Sequence, residues 1–354
     1  MTTPNSAQEI ASETSSLQSR VNDLQEHVRL TDIRNAVGDL QTTATGMSQR
    51  LAGLRTRGYV FEKDLEGTAK SLADSWAALY PNIQMQINTQ STNMQNALRP
   101  IELQLPHLAG LANNPGAAQS LLHTLQSSAV SLEGDVSAAE KAIQGMYSQF
   151  QAQVAAVVRH LDDVDYLLKQ LAEASFQLMP TEAGIAAVKA VWCKSGKEQK
   201  DDPEGVLYLT DQRLLFEQKE EVATKKVLGI ATEKQKVQKL QVETPVSLAE
   251  KVDTSKQGLL KNEDHIEVHF GSGAPFELAH FHIWQDMAAW QALINRARTK
   301  DFDAGRAVAL DQAAVDKVKA APAQCPSCGG NITKPVLRGQ DSITCEFCGF
   351  VIRL

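Results

Sequence analysis

The sequence predicts a multidomain protein. An N-terminal all-α, elongated helical bundle or coiled coil is followed by a small antiparallel β module with a C-terminal helix, and then by a compact metal-binding terminus. Three observations lead there. Between Ala118 and Leu171 apolar residues recur at alternating steps of three and four. After Pro180 that period gives way to short alternating runs separated by turn residues. Near the end, four cysteines stand as two C-x-x-C pairs, Cys325 with Cys328 and Cys345 with Cys348. The resulting division is residues 1–178 for the helices, 179–299 for the β module, 300–324 for a linker and 325–354 for the cysteine segment.

The longest helical seam runs Ala118, Leu122, Leu125, Ala129, Leu132, Val136, Ala139, Ile143, Met146, Phe150, Val154, Val157, Leu161, Val164, Leu168, Leu171. Polar residues fill most positions between, which is the a/d pattern of a coiled coil. Two successive steps of four at Met146–Phe150–Val154 should locally unwind a supercoil. No helix buries such a stripe by itself, so other segments or a second copy of the chain must cover it.

Two further seams precede it. Residues 1–6 are expected to be disordered. The first seam is Ile10, Leu17, Val21, Leu24, Val28, then Ile33, Val37, Leu40, Met47, Leu51 and Leu54, with an irregular step after Val28. The second is Phe61, Leu65, Leu72, Trp76 and Leu79, resuming as Ile83, Ile87, Met94, Leu98, Ile101, Leu108 and Leu111. Pro81, Pro100 and Pro106 each lack an amide donor and mark kinks or breaks. Asn113-Asn114-Pro115-Gly116 is a turn. Three segments joined near Gly58 and Asn113 predict an antiparallel three-helix bundle. A dimeric coiled coil is the competing arrangement, and either allows a homo-oligomer.

Bulk properties narrow the function. Aromatic residues are 5% of the chain. Net charge is −6 over residues 1–180, −1 over 181–300 and 0 over 301–354, against −7 overall, so no segment has the basic excess of a general phosphate-backbone binder. The N-terminus has neither a basic region nor an apolar core of the secretory type, and no run of eighteen apolar residues occurs. With cysteines paired at metal-ligand spacing, a reducing, cytoplasmic location is expected.

In the β module, Ile185–Lys194, Gly205–Thr210, Arg213–Glu217, Lys225–Ile230, His265–Phe270 and Phe276–Phe281 read as strands. An amphipathic helix from about Trp284 to Arg298 closes it, carrying Trp290, Leu293 and Ile294 on its apolar face. The run Gly205-Val206-Leu207-Tyr208-Leu209-Thr210-Asp211-Gln212-Arg213-Leu214-Leu215-Phe216 resembles the GxLxLTxxRLxF hairpin of GRAM and bacterial PH-like domains. The resemblance covers about 179–298 and implies a half-open barrel plugged by the terminal helix, with Leu207, Leu209, Leu214 and Phe216 in its core. Residues 231–258, longer and richer in Lys and Glu than that pattern, leave the middle strands undefined.

Residues 300–324 read as a linker with partial helix. The cysteine spacing, with sixteen residues between the pairs and Gly after each second Cys, is that of two knuckle turns whose amides aim at thiolate sulfur. Cys325, Cys328, Cys345 and Cys348 would hold one structural Zn²⁺ per chain, with no open position for water. The segment resembles zinc ribbons, which bind protein or nucleic-acid partners. Its apolar complement is only Ile332, Val336, Leu337, Ile343, Phe350 and Ile352, so folding depends on metal.

Other features read as non-functional. Lys194, Lys197 and Lys200 occupy the loop that grips head groups in lipid-binding relatives of the resemblance, but Glu198, Asp201 and Asp202 dilute them. Lys225, Lys226, Lys234, Lys236 and Lys239 are likewise a mixed-charge rim. Setting Phe270 opposite Phe276 places Ile266 against His280, so the pairs His265/His269 and His280/His282 fall on opposite faces and cannot converge on a metal. Cys193 reads as a small packed thiol. The sequence carries no phosphate-cradling G-x-x-x-x-G-K-[ST], no H-E-x-x-H and no G-x-S-x-G. The expected function is therefore a non-enzymatic cytoplasmic scaffold or adaptor. Its coiled coil would assemble partners, and its PH-like and zinc-ribbon modules would dock protein or membrane surfaces. The alternative is a nucleic-acid-associated protein acting through the ribbon.

Overall fold

The computed structural model describes residues 7–111, 113–227 and 230–354, with the side chains of residues 7 and 222–234 outside the description. The expected disorder of residues 1–6 therefore lies outside the described residues, as do the side chains of Lys225, Lys226 and Lys234. The chain forms two compact units, Met1–Ser48 with Gly67–Val158, and Gln49–Glu66 with Arg159–Leu354.

The helices are α1 (Ala7–His27), α2 (Thr31–Thr56), α3 (Leu65–Gln104), α4 (His107–Gly110) and α5 (Pro115–Ala172). Chain breaks follow breaks in the apolar period. The five-residue step from Val28 to Ile33 does not fit a helical face, and α1 and α2 separate there, with Leu30 at φ 54°. The Ser91 hydroxyl donates to the freed Val28 carbonyl at 2.8 Å. Pro106 likewise stands at a break, immediately before α4.

Pro81 and Pro100 behave otherwise. Both lie inside α3, which continues through them rather than ending. A helical proline costs about 3 kcal/mol, but Trp76, Ile83, Ile87, Met94, Leu98 and Ile101 are all buried along this helix and offset that cost. Leu79, expected in the seam, is 36% exposed. In α5, Tyr147 is buried and Met146 is not, so the doubled step of four falls at Ala139–Ile143–Tyr147, one turn before its expected place. Within the first unit, Gln25 bonds Glu102 and Arg34 bonds Asn88, while Arg20 pairs with Glu133 and Gln126 bonds Glu13. The α1–α2 segment therefore runs against α3 and along α5.

The strands are β1 (Gly184–Trp192), β2 (Glu204–Thr210), β3 (Arg213–Val227), β4 (Ile230–Pro245), β5 (Ala249–Gln257), β6 (Glu263–Phe270) and β7 (Leu278–Ile283). They form one antiparallel sheet in the order β4-β3-β2-β1-β7-β6-β5. β4 and β5 stand at its two edges, so the sheet is not closed where a half-open barrel was expected. The expected strand Lys225–Ile230 does not exist as such: β3 runs on to Val227 and β4 returns from Ile230, with residues 228–229 outside the described ones. β4 and β5 fill the stretch that sequence left undefined. Their polar residues are those of edge strands, whose exposed side chains carry little apolar signal.

Leu207, Leu209, Leu214 and Phe216 are buried as expected. The neighbouring Val206, Tyr208 and Leu215 are buried too, packed on Leu167 near the end of α5. A side chain at Gly184 would meet Leu171 at 2.6 Å, so glycine allows that helix to approach β1. The closing helix α6 (Met287–Arg298) is capped by Asp286, which accepts from the Ala289 amide at 2.8 Å, and it buries Trp290, Ile294 and Ala297.

Residues 300–324, expected as a linker with partial helix, contain that helix but begin with a packed stretch. A 3₁₀ turn at Asp301–Gly305 buries Phe302 edge-on against Phe61, with ring centres 5.6 Å apart. The Lys63 amide donates to Gly305 and the Ala307 amide to Val60. Helix α7 (Gln312–Ala320) follows, and the hairpin β8 (Ser342–Thr344) with β9 (Val351–Arg353) closes the chain.

Candidate metal centre

Two matching turns bring the four cysteines together. The Cys325 amide donates to Gly330 and the Gly329 amide to Cys325, each at 2.8 Å; Cys345 with Phe350 and Gly349 with Cys345 repeat the pattern at 2.9 and 3.0 Å. Gly329 and Gly349 both adopt φ 71°, the left-handed conformation expected at these positions. Cys325 Sγ lies 3.7 Å from Cys348 Sγ, and Cys328 Sγ lies 3.7 Å from Cys345 Sγ. All four sulfurs fall within 4.8 Å of one another. A tetrahedron with Zn–S arms of about 2.3 Å has edges of about 3.8 Å, so the donor set fits zinc in size as well as chemistry.

The electrostatics agree. Amide N–H groups of Cys348 and Phe347 lower the Cys345 thiol to about 7. The Gly330 amide favours thiolate at Cys328, yet hydrogen bonds from the surrounding sulfurs, Cys348 first, push it up to about 12. Four thiols in contact cannot all ionise unless a cation balances them. Cys325, Cys345 and Ile352 form a small core with Ile332 and Ile343. Phe350, expected in that core, is 46% exposed.

The hairpin Thr210-Asp211-Gln212-Arg213 anchors this segment. Asp211 accepts from the Ala183 amide and from the guanidiniums of Arg306, at 2.7 Å, and Arg338. Gln212 brackets the Arg338 backbone, accepting from its amide at 2.5 Å and donating to its carbonyl at 3.1 Å. Arg213 pairs with buried Glu182 at 2.6 Å and with Glu243 at 2.5 Å. Burial raises the Asp211 carboxyl from its ordinary value, with its amide and arginine partners opposing. The turn thus ties together the start of β1, the residues after α6 and the cysteine segment. Nothing in its own sequence foretold the distant partners. Arg338 is also removed from any nucleic-acid surface, and Lys334 lies 3.9 Å from Glu346.

The histidines sit differently from the sequence expectation. His265 pairs across the strands with His282 and Glu267 with His280, one residue away from the expected register. Phe281 packs on Phe216 and faces Ile266, which fixes the apolar side of β7 and turns His280 and His282 to the side of His265. All three are buried. Burial, then the neighbouring imidazoles, pulls His265 down to about 4. Cys193 is buried beside them, and Glu198 accepts from His282 Nδ1 at 2.6 Å. His269 stands apart and pairs with Asp253 at 3.1 Å.

No family model matches the chain, and no curated protein matches it. Similar solved structures include the Vps36 N-terminal PH domain, at 17% identity over 35% of this chain and 85% of that one, with a TM-score of 0.23. The PDZ-RhoGEF DH/PH domains in complex with GTP-gamma-S activated RhoA align at 12% identity over 79% and 95%, with a TM-score of 0.24. The DH/PH domains of p115-RhoGEF align at 13% over 83% and 95%, with a TM-score of 0.22. At these scores the description of the β module rests on its own strand order and closing helix. Among the described residues no helix is long and apolar enough to cross a membrane.

Proposed function

We propose that this chain is a non-enzymatic adaptor in which residues 1–178 assemble partners through helices, residues 179–299 form a PH/GRAM-like docking module, and residues 325–354 form a zinc ribbon. Cys325, Cys328, Cys345 and Cys348 hold one structural zinc. The observation that carries the reading is the surface of the cysteine segment. Phe347, Phe350 and Val351 are 68%, 46% and 54% exposed, while Arg338 pins the same segment to a buried carboxylate. A rigidly held apolar tip suits docking to a protein, where aromatic residues dominate binding energy. The test is affinity purification with Phe347→Ser and Phe350→Ser beside the wild type, using elemental analysis as the folding control. Loss of a defined partner with one zinc retained supports the reading. An unchanged partner set sinks the docking claim, and a zinc-free wild type sinks the ribbon.

A membrane-docking reading has its own observation. Leu259 and Leu260 are 99% and 80% exposed at the turn between β5 and β6, beside exposed Lys261. An apolar tip with an adjacent cation suits insertion into an anionic bilayer. Co-sedimentation with phosphatidylserine vesicles should fall on Leu259→Ser with Leu260→Ser. Equal pelleting of the two proteins removes this reading and leaves the first intact.

A further inference from the structure

We propose that Glu198, Glu263, His265 and His282 form a second divalent-cation site, of the zinc class, separate from the four cysteines. One donor atom from each of these residues lies within 4.8 Å of the others. They come from four places in the chain: the β1–β2 loop, the first residue of β6, its third residue, and β7.

The positions of the protons single out this set. The Gln257 side-chain amide nitrogen, a donor, lies 3.5 Å from His280 Nε2, so that ring nitrogen accepts. His265 Nδ1 lies 3.0 Å from the same atom, and the tautomer compatible with both contacts carries the His265 proton on Nδ1. With its proton on Nδ1, His265 presents a bare lone pair at Nε2. That atom is buried and has no hydrogen-bond partner, and its side chain is 1% exposed. The group nearest to it among its ion-pair partners is the Glu263 carboxylate, at 3.7 Å. The lone pair of a buried imidazole faces a carboxylate whose own side chain is 40% exposed, two acceptors with no donor between them, and a cation there satisfies both.

The remaining donors suit that cation. Glu198 Oε2 and His282 Nδ1 share a proton across 2.6 Å, and a dication entering there displaces it. Two carboxylates then balance the charge of the ion. Two imidazoles and two carboxylates make a four-coordinate set of the kind zinc accepts. The rings are held ready: His282 stacks on Trp284 at 4.1 Å and on His265 at 4.8 Å. Glu198 is exposed and Glu263 half-buried, which leaves an entry path. The neighbouring trio Cys193, His265 and His280 is less suited, because the Cys193 thiol already donates to the Val191 carbonyl and the two rings bond each other.

Cobalt(II) titration of the metal-stripped full-length protein separates the two centres. Thiolate ligands give an intense near-ultraviolet charge-transfer band, whereas nitrogen and oxygen ligands give only visible d–d bands. The expected result is two equivalents bound, with the charge-transfer band lost and the d–d equivalent kept in Cys345→Ser. In Glu198→Gln with Glu263→Gln, the stoichiometry should fall to the thiolate equivalent alone. Gln257→Leu, which releases the tautomer, should weaken the second equivalent about 10-fold or more. A wild type binding only the thiolate equivalent overturns the proposal. So does a second equivalent that persists unchanged in the double glutamine variant. If Cys345→Ser and wild type both bind one equivalent without a charge-transfer band, the ribbon reading fails and this site stands.

Discussion

In the unit made of residues 1–48 and 67–158, the buried residues of α1, α3 and α5 are almost wholly apolar, with Ser91 the one buried polar side chain among the described residues. The unit made of residues 49–66 and 159–354 instead buries Glu182, Asp211, Gln212, Arg213, Glu217, Arg338 and three histidines. An apolar seam is non-directional: one side chain can stand in for its neighbour, as Tyr147 does for Met146, because only area removed from water matters. A buried ion network is directional. Asp211 takes its two arginines and an amide at fixed angles, and each partner left unpaired is costly. The first construction gives length cheaply, and the second defines a unique arrangement of segments that touch nowhere else in sequence.

The largest effect should come from breaking the network. Asp211→Ala leaves the buried Arg306 guanidinium without its carboxylate and Arg338 with only Asp303, at 3.9 Å, and should destabilise the second unit by about 3–5 kcal/mol in urea unfolding. Adding Arg306→Met and Arg338→Met should recover a large part of that loss. If the single variant melts like the wild type, the ionic description is wrong.

Next comes the single polar contact of the first unit. Ser91→Ala strands the Val28 carbonyl at the α1–α2 break and should cost about 1–3 kcal/mol. A loss below the error of the measurement would mean the break is solvated. Smaller again is Ile143→Val in the α5 seam, at about 0.5–1.5 kcal/mol, because a relaxed apolar contact loses one methylene. A cost as large as that of Asp211→Ala would erase the contrast between the units.

The smallest effect concerns His160 and Glu62, 2.5 Å apart and each more than a third exposed. The hydrogen bond to Glu62 raises the His160 imidazole, with burial opposing. Burial alone would raise Glu62, but the bond and charge of His160 outweigh it and leave the carboxyl lowered. Stability from the raised imidazole is complete below its unfolded value and lost as pH rises through the folded one. Stability from the lowered carboxylate is present above its unfolded value and lost as pH falls through the folded one. The pair therefore contributes most between the ordinary values of 4.5 and 6.5. The melting temperatures of wild type and His160→Gln should differ most in that window and converge at higher pH. A difference that does not change with pH would contradict the pairing.

Local pattern carried much of this architecture. The heptad seams, the irregular step after Val28, the hairpin about Thr210–Arg213 and the two cysteine turns are all legible, although the sequence alone keeps Ile10–Leu54 as one segment where α1 and α2 separate. In each case the residues that cooperate lie within a few positions of one another, where helical period, turn preference and ligand spacing act. Of the two outcomes expected at Pro81 and Pro100, a break does not occur, because tertiary burial carries α3 through both positions. The edge strands β4 and β5 were missed because a polar edge has no apolar alternation to reveal it.

The amino-acid sequence by itself determined the order of helical, sheet and cysteine segments, and the two cysteine pairs with their turns. Only the tertiary structure decided the register of β6 on β7, the docking of Arg338 on Asp211 and the packing of residues 300–307 on Val60, Phe61 and Lys63. The physical reason is the range of the forces involved. Backbone preference and short ligand spacing are settled within a turn or two of chain. Register is a property of two strands packed against a core, and a shift of a single residue carries every side chain to the other face. That shift is what gathered His265, His280 and His282 on one side of the sheet, where the chain alone had set them apart.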